Sequence, residues 1–319
     1  MAQINASMVK ELRERTQAGM ADCKNALVES GGDMEKAVEV ILKKGIVKAA
    51  ARAGRVASEG EVATWISPDA KRGVVVEVNS QTDFVSRGED FKTFVQNVVR
   101  VASKAARGSD LGTLKYPGSD KSVDAVRQEL VAKTGENCVV RRWAALEASQ
   151  PNGFVQAYVH AGGKLAVLVA AEGPDAKGGE LHAFVENVAM QVAAMNPLVV
   201  RREEIPAADI AKQKEIFEAQ LKEDPKPPPA QAWPKVLEGK IGKWLSEVTL
   251  LGQDNVWDPP AGSIDKLRLE LGKKLGGEIK IHEFVRFSLG EGIEKKHEDL
   301  AAEVAKTIGD SSNVDPVRR

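Results

Sequence analysis

The hydrophobic positions of the chain follow two different periods, and the change from one to the other divides it. Near the amino terminus they recur at helical spacing. Val9 and Leu12 lie in a first stretch that Ser7 can cap, Gln17-Ala18-Gly19 makes a turn, and Cys23, Ala26 and Leu27 share one stripe of a second stretch running from Met20 to Gly31-Gly32. Asp33 then caps a third, with Met34, Ala37, Val38, Ile41 and Leu42 on its apolar side. Three short helices with so thin a core read as a binding module more readily than as a catalytic domain. The run from Lys43 to Arg55 is basic and rich in small residues. It has no aromatics for base stacking, so it reads as a solvated helix and linker rather than a nucleic-acid arm.

From Ser58 the period shortens. Val62 to Ile66 alternates, and after a glycine-containing turn Val74 to Val78 forms an apolar, β-branched run of the kind found in a strand buried on both faces. That run is expected to stop at Asn79 and Ser80, which favour turns, and a loop carrying Thr82, Asp83 and Phe84 is expected after it. A phenylalanine between a strand and a helix is either tucked beneath its own fold or presented to a partner.

The same pattern then returns. Val155 to Val159 matches Val62 to Ile66, Leu165 to Val169 matches Val74 to Val78, and the amphipathic stretch from Leu181 to Val188 repeats Phe91 to Val98 at a displacement of 90 residues. Ser263 to Leu271 repeats Ser122 to Leu130 at a displacement of 141, and each leads through a glycine to a last strand, Cys138 to Trp143 or Ile279 to Phe287. The expected fold class is therefore α+β: an N-terminal three-helix domain followed by a duplicated β-β-α-α-β core.

The change in displacement places an insertion in the second copy. It reads as one helix from Ala207 to about Lys222, a break at Asp224-Pro-Lys-Pro-Pro-Pro229 and another helix from about Pro234 to Leu250. An antiparallel helical hairpin is predicted. Its apolar line, Ile210, Ile216 or Phe217, and Leu221 against Val236, Leu237, Ile241, Trp244, Leu245 and Val248, is satisfied within the hairpin or by a second copy in a homodimer. The predicted layout is residues 1–56 for the three-helix domain and basic linker, 57–149 for the first core copy, 150–196 with 252–289 for the second, 197–251 for the hairpin, and 290–319 for a C-terminal helix from Glu291 to Val304 and a polar tail.

Charge narrows the class of partner. Lysine and arginine number 45 against 46 acidic residues, a net charge of -1, and a protein that chiefly binds nucleic acid usually carries a clear basic excess. Two cysteines, Cys23 and Cys138, in apolar patterns far apart suit a reducing compartment and two buried thiols. No signal-like or membrane-spanning apolar run is present, so a cytoplasmic location is expected. Catalytic motifs are missing. The four histidines have no metal-ligand spacing, and none of the Gly-Lys pairs at Gly163, Gly239, Gly242 and Gly272 is followed by Ser or Thr, as a phosphate-cradling loop requires. No cofactor, metal or catalytic residue is expected.

Three stretches, in order, resemble one family. Leu12-Arg-Glu-Arg-Thr-Gln-Ala-Gly-Met-Ala-Asp-Cys-Lys24, Val78-Asn-Ser-Gln-Thr-Asp-Phe-Val85, and Val285-Arg-Phe287 through Gly290-Glu-Gly-Ile-Glu-Lys295 are similar to the signatures of bacterial translation elongation factor Ts. The resemblance implies a ubiquitin-associated-like first domain and a guanine-nucleotide exchange factor for elongation factor Tu. It implies that the loop with Thr82, Asp83, Phe84 and Val85 enters the GTPase near its magnesium and switch II, with Phe84 as the wedge and Asp83 as a polar anchor. Arg13, Met20 and Lys24 are implied to face the GTPase domain, His160 and Gly162 the partner's third domain, and Val256 and Trp257 a further contact. The final helix is implied to return to the GTPase domain. Ala21 departs from the family pattern, since many relatives carry a methionine there. A binding adaptor predicts instead that the three-helix unit carries the affinity, and an enzyme predicts a pocket with convergent polar groups between the core copies.

Overall fold

The computed structural model describes residues 4–294 apart from 17, 53, 175, 177 and 225–227. The expected C-terminal helix does not begin at Glu291, since residues 291–294 are not helical and Gly290 and Gly292 take positive φ; the rest of that helix and the tail, from residue 295, lie outside the described residues, as do Gln17 of the first turn and part of the proline-rich break. The first unit packs α1 (Ala6–Thr16), α2 (Met20–Glu29) and α3 (Met34–Arg52) around Val9, Leu12, Cys23, Ala26, Leu27, Ala37 and Ile41. Asn5, rather than Ser7, caps α1: its Oδ1 accepts the Met8 N–H at 2.9 Å, which leaves Ser7 inside the first turn. Asp33 caps α3 as expected, accepting from the Lys36 N–H at 3.1 Å. Helix α3 runs on through the basic stretch to Arg52: the single Gly45 is tolerated among Lys and Ala residues that favour helix.

Each core copy is a three-stranded antiparallel sheet with one face on its own helices. The first copy contains β1 (Glu59–Ile66), β2 (Arg72–Ser80), α4 (Asp83–Arg87), α5 (Glu89–Ala102), α6 (Val123–Thr134) and β3 (Cys138–Glu147), and its sheet runs β1-β2-β3. The second contains β4 (Gly153–His160), β5 (Leu165–Glu172) and α7 (Gly179–Met195), then α8 (Ala207–Glu223) and α9 (Trp233–Val248) of the hairpin, then α10 (Ile264–Leu275) and β6 (Lys280–Ser288); its sheet runs β4-β5-β6.

The duplication extends to the caps. Ser122 Oγ accepts from the Ala125 N–H and Ser263 Oγ from the Lys266 N–H, and α6 and α10 end at Gly135 and Gly276, both with left-handed backbone. Arg127 and Arg268 bind Asp124 and Asp265 one turn back and donate to the Cys138 and Ile279 carbonyls at 3.0 and 2.6 Å. The same contact ties helix to last strand in both copies.

The second faces of the two sheets meet. Val62, Val75, Leu146, Val155, Ala166, Leu168, Ala170 and Phe287 form a core between them, so β2 and β5 are covered by helices on one side and by a sheet on the other. The expectation that Val74 to Val78 is buried on both faces holds. Its expected end at Asn79 does not: Asn79 and Ser80 pair with Gly60 and Glu59 on one side and Val139 and Cys138 on the other, and ladders on both edges outweigh their turn preference.

Both cysteines are free and buried, and burial together with the Glu136 charge pushes the Cys138 thiol up to about 12. The hairpin satisfies much of its own apolar line, with Leu221, Leu237 and Leu245 buried. Its two ends meet in a parallel bridge, Val199 to Thr249. Among the described residues no helix is long and apolar enough to cross a membrane.

Candidate functional site

Where a loop was expected after β2, the chain forms the short helix α4, and its geometry follows from Thr82. The Thr82 Oγ1 accepts the Val85 N–H and caps the helix, while the same hydroxyl and the Thr82 N–H both donate to Glu136, at 2.8 and 3.0 Å. One residue earlier, Gln81 Oε1 accepts the Asn137 N–H at 2.7 Å. The segment between α6 and β3 therefore holds α4 from beneath. Ser80 Oγ donates to the Thr82 carbonyl and Ser86 Oγ to that of Asp83. Asp83 and Arg87 form an ion pair at 2.8 Å along the outer face.

This frame separates two adjacent apolar side chains. Val85 packs against the first copy's core, whereas Phe84 is 84% exposed and is the most exposed large hydrophobic residue of those described. Leaving a phenylalanine in water forgoes roughly 1.5–3 kcal/mol of burial. Of the two positions open to it at the sequence level, the structure takes the presented one.

The other candidates occupy separate places. Arg13, Met20 and Lys24 are exposed on α1 and α2, and Met20, at 50% exposure, is not part of the core of the three-helix unit. His160 and Gly162 lie at the turn between β4 and β5, where Ala161, Gly162 and Gly163 take positive φ of 50, 63 and 88°. His160 Nδ1 meets the Tyr158 hydroxyl at 2.9 Å. Gly163 is required there, since a Cβ would come within 2.8 Å of Glu61 Cγ while its carbonyl accepts the Val62 N–H at 2.7 Å. The second copy's turn is thus seated on the first strand of the first copy.

Val256 and Trp257 lie in the segment before α10. Trp257 is half-buried against the second copy's core and Val256 is exposed. Buried Gln191 of α7 fixes this segment: its Oε1 accepts the Val256 N–H at 2.9 Å and its Nε2 donates to Gln253 Oε1 and the Asp254 carbonyl, both at 3.1 Å. Neither Gln191 nor Glu136 was singled out from the sequence. Both are polar residues in helical or loop context, where composition alone gives no sign of burial or of a distant partner.

Also missed is Glu77, the acidic member of the apolar run in β2. It is fully buried, and Arg141, Arg142 and the Gly290 N–H converge on it. Burial pushes its carboxyl up, but the Gly290 N–H and the two guanidinium groups outweigh that and hold it below the ordinary range.

A cavity of about 640 Å³ opens between the three-helix unit and α5 and α6, lined by Arg15, Phe94, Tyr116, Val126 and Lys133 among others. It lies away from the junction of the two core copies, where an enzyme reading places its pocket. Among the described residues no group of His, Cys, Asp and Glu is arranged to hold a metal ion.

Comparison with known proteins gives one consistent result. The family model described as Elongation factor TS matches residues 81–291. A protein named Elongation factor Ts from Nitratiruptor is 47% identical over 303 residues, covering 95% of this chain and 98% of the relative. Proteins of the same name from Clostridium perfringens and Clostridium acetobutylicum are 45% and 43% identical over 96% and 97% of this chain and 99% of their own lengths.

Proposed function

The chain belongs to the elongation factor Ts family, and on that premise we propose that it is the guanine-nucleotide exchange factor of an elongation factor Tu, with Phe84 acting as the wedge. It makes and breaks no bond. The observation that carries the reading is the exposure of Phe84 on a helix whose every other anchor is internal. A side chain held rigidly in water binds a partner without first losing backbone freedom, and its burial there contributes roughly 1.5–3 kcal/mol.

The thermodynamics require only differential binding. If the protein binds the nucleotide-free GTPase more tightly than the GDP-bound form, it must weaken GDP binding by the same factor. In this reading α4 enters beside the magnesium and switch II and displaces groups that order the ion, with Asp83 as polar anchor and Thr82 and Val85 fixing the approach. Arg13, Met20 and Lys24 meet the GTPase domain, His160, Gly162, Val256 and Trp257 hold the partner elsewhere, and the segment after Ile293 returns to the GTPase domain. Translation places the protein in the cytoplasm.

The test is release of a fluorescent GDP analogue from elongation factor Tu at fixed free magnesium. The wild type is expected to accelerate it, and Phe84→Ala to lose tenfold or more, at least about 1.4 kcal/mol of transition-state stabilisation. No acceleration by folded wild type contradicts the exchange reading; acceleration unchanged by the substitution moves the wedge elsewhere.

A further inference from the structure

Two distant stretches of the chain meet at one buried carboxylate. Glu77 Oε1 accepts from Arg141 Nη1 at 2.9 Å, from the Gly290 N–H at 2.8 Å and from Asn79 Nδ2 at 3.2 Å, while Oε2 accepts from Arg142 Nε at 2.5 Å. The two arginines then reach the same turn as Gly290. Arg142 Nη2 donates to the Ser288 carbonyl at 3.0 Å and to Glu291 Oε2 at 3.1 Å, and Arg141 Nη2 donates to the Glu291 carbonyl. Gly290 sits at φ +70°, and a Cβ there would lie 2.7 Å from the Ser58 carbonyl oxygen. The turn that begins the chain's last segment is therefore clamped to β2 and β3 of the other copy.

The bulge in the central strand does not require this cluster. Both sheets carry a bulge at the same place, between Glu77 and Val78 in β2 and between Ala170 and Ala171 in β5. In the second copy Ala170 faces Glu283 where Glu77 faces Arg142, and the bulge forms without a buried carboxylate. Buried ion pairs are often no more stabilising than apolar residues of the same volume, and their best-attested use is to fix one arrangement among several.

We infer that Glu77 is a positioning residue for nucleotide exchange: it sets the direction in which the chain leaves the core at Glu291 relative to Phe84, on the helix that directly follows the same strand. This rests on the exchange reading, in which α4 and the C-terminal segment grip one GTPase. The cluster links them through a strand held on both edges.

The experiment measures the second-order rate of GDP release from elongation factor Tu for four proteins: wild type, Glu77→Gln, the chain ending at Glu294, and that shortened chain with Glu77→Gln. The substitution is expected to cost at least fivefold in the full chain and less than twofold in the shortened one. Equal fold losses in both lengths overturn the inference, since a merely structural role is indifferent to the missing segment. No acceleration by wild type defeats the exchange reading itself, and the inference with it.

Two further measurements cover weaker variants. If the shortened chain is too slow to follow, amide hydrogen exchange of the full chain decides: Glu77→Gln is expected to speed exchange across 288–292 at least tenfold and leave 81–88 unchanged, and unaltered protection at 288–292 overturns the inference. If Glu77→Gln does not fold, Glu291→Gln, at a half-exposed site, is expected to give a smaller loss that again requires the full-length chain. Equal loss in both lengths overturns the proposal there too.

Discussion

The two core copies share strand order, serine caps, left-handed glycine ends, the Asp-Arg contact on the second helix and the bulge in the central strand. They part in the connections. After β2 the first copy inserts α4 before α5, whereas after β5 the second proceeds to α7 with no intervening helix among the described residues and places its extra residues in the hairpin of α8 and α9 instead. The first copy buries Glu77 where the second has Ala170. A duplicated fold thus keeps the contacts that close each sheet and diverges in its connections and at one buried position of the central strand. In this protein the features proposed to act on the nucleotide are those of the first copy alone.

The strongest way to break the contrast is to make the first copy resemble the second. Glu77→Ala leaves Arg141 and Arg142 facing one another without their carboxylate and is expected to cost about 3 kcal/mol, measured as a shift in the urea midpoint. A loss below about 1 kcal/mol would mean that the half-exposed arginines are served by water and that the junction is held by packing. The pH dependence has a definite sign. The folded carboxyl lies below its ordinary value, so its contribution is present above the unfolded pKa of about 4.3 and is lost as pH falls through the folded value. Acid titration should therefore bring the stabilities of wild type and Glu77→Gln together.

Next in size is Thr82→Ala, which removes the cap of α4 and the hydroxyl contact to Glu136. It is expected to weaken the acceleration of GDP release about fivefold, as a lost cap of about 1 kcal/mol implies, with little change in global unfolding. An unaltered rate would show that α4 needs no rigid seat. The smallest effect belongs to the second copy. Val256→Ala is expected to raise the concentration needed for half-maximal acceleration by about two- to threefold, from roughly 0.5 kcal/mol of lost contact, and to leave the limiting rate unchanged. A fall in the limiting rate would put the second copy in the exchange step.

Much of this architecture was legible in the sequence because it rests on periodicity and caps. The repeat from Val62 to Val159, the serines at 122 and 263 and the hairpin helices each carry a local signal, and each has its counterpart in the structure. Local preference ends β2 too early, at Asn79 and Ser80, because the partners that hold them in the ladder, Val139 and Cys138, lie nearly sixty residues away. Local pattern alone leaves the exposure of Phe84 open, and only the family resemblance implies it, since it depends on Glu136 and Asn137 seating α4 from below. Glu77 was hidden inside an apolar run because its partners come from β3 and from Gly290, and nothing near it in sequence announces them.

The most direct test of the asymmetry is a concentration series of Phe84→Ala in the GDP-release assay, read for both the limiting rate and the half-saturating concentration. The account predicts a limiting rate lowered at least tenfold with half-saturation changed by less than about threefold, because the surfaces of the three-helix unit and of the second copy still hold the partner. An unchanged limiting rate with a much higher half-saturating concentration would contradict it, making Phe84 a handle for binding rather than the element that releases the nucleotide.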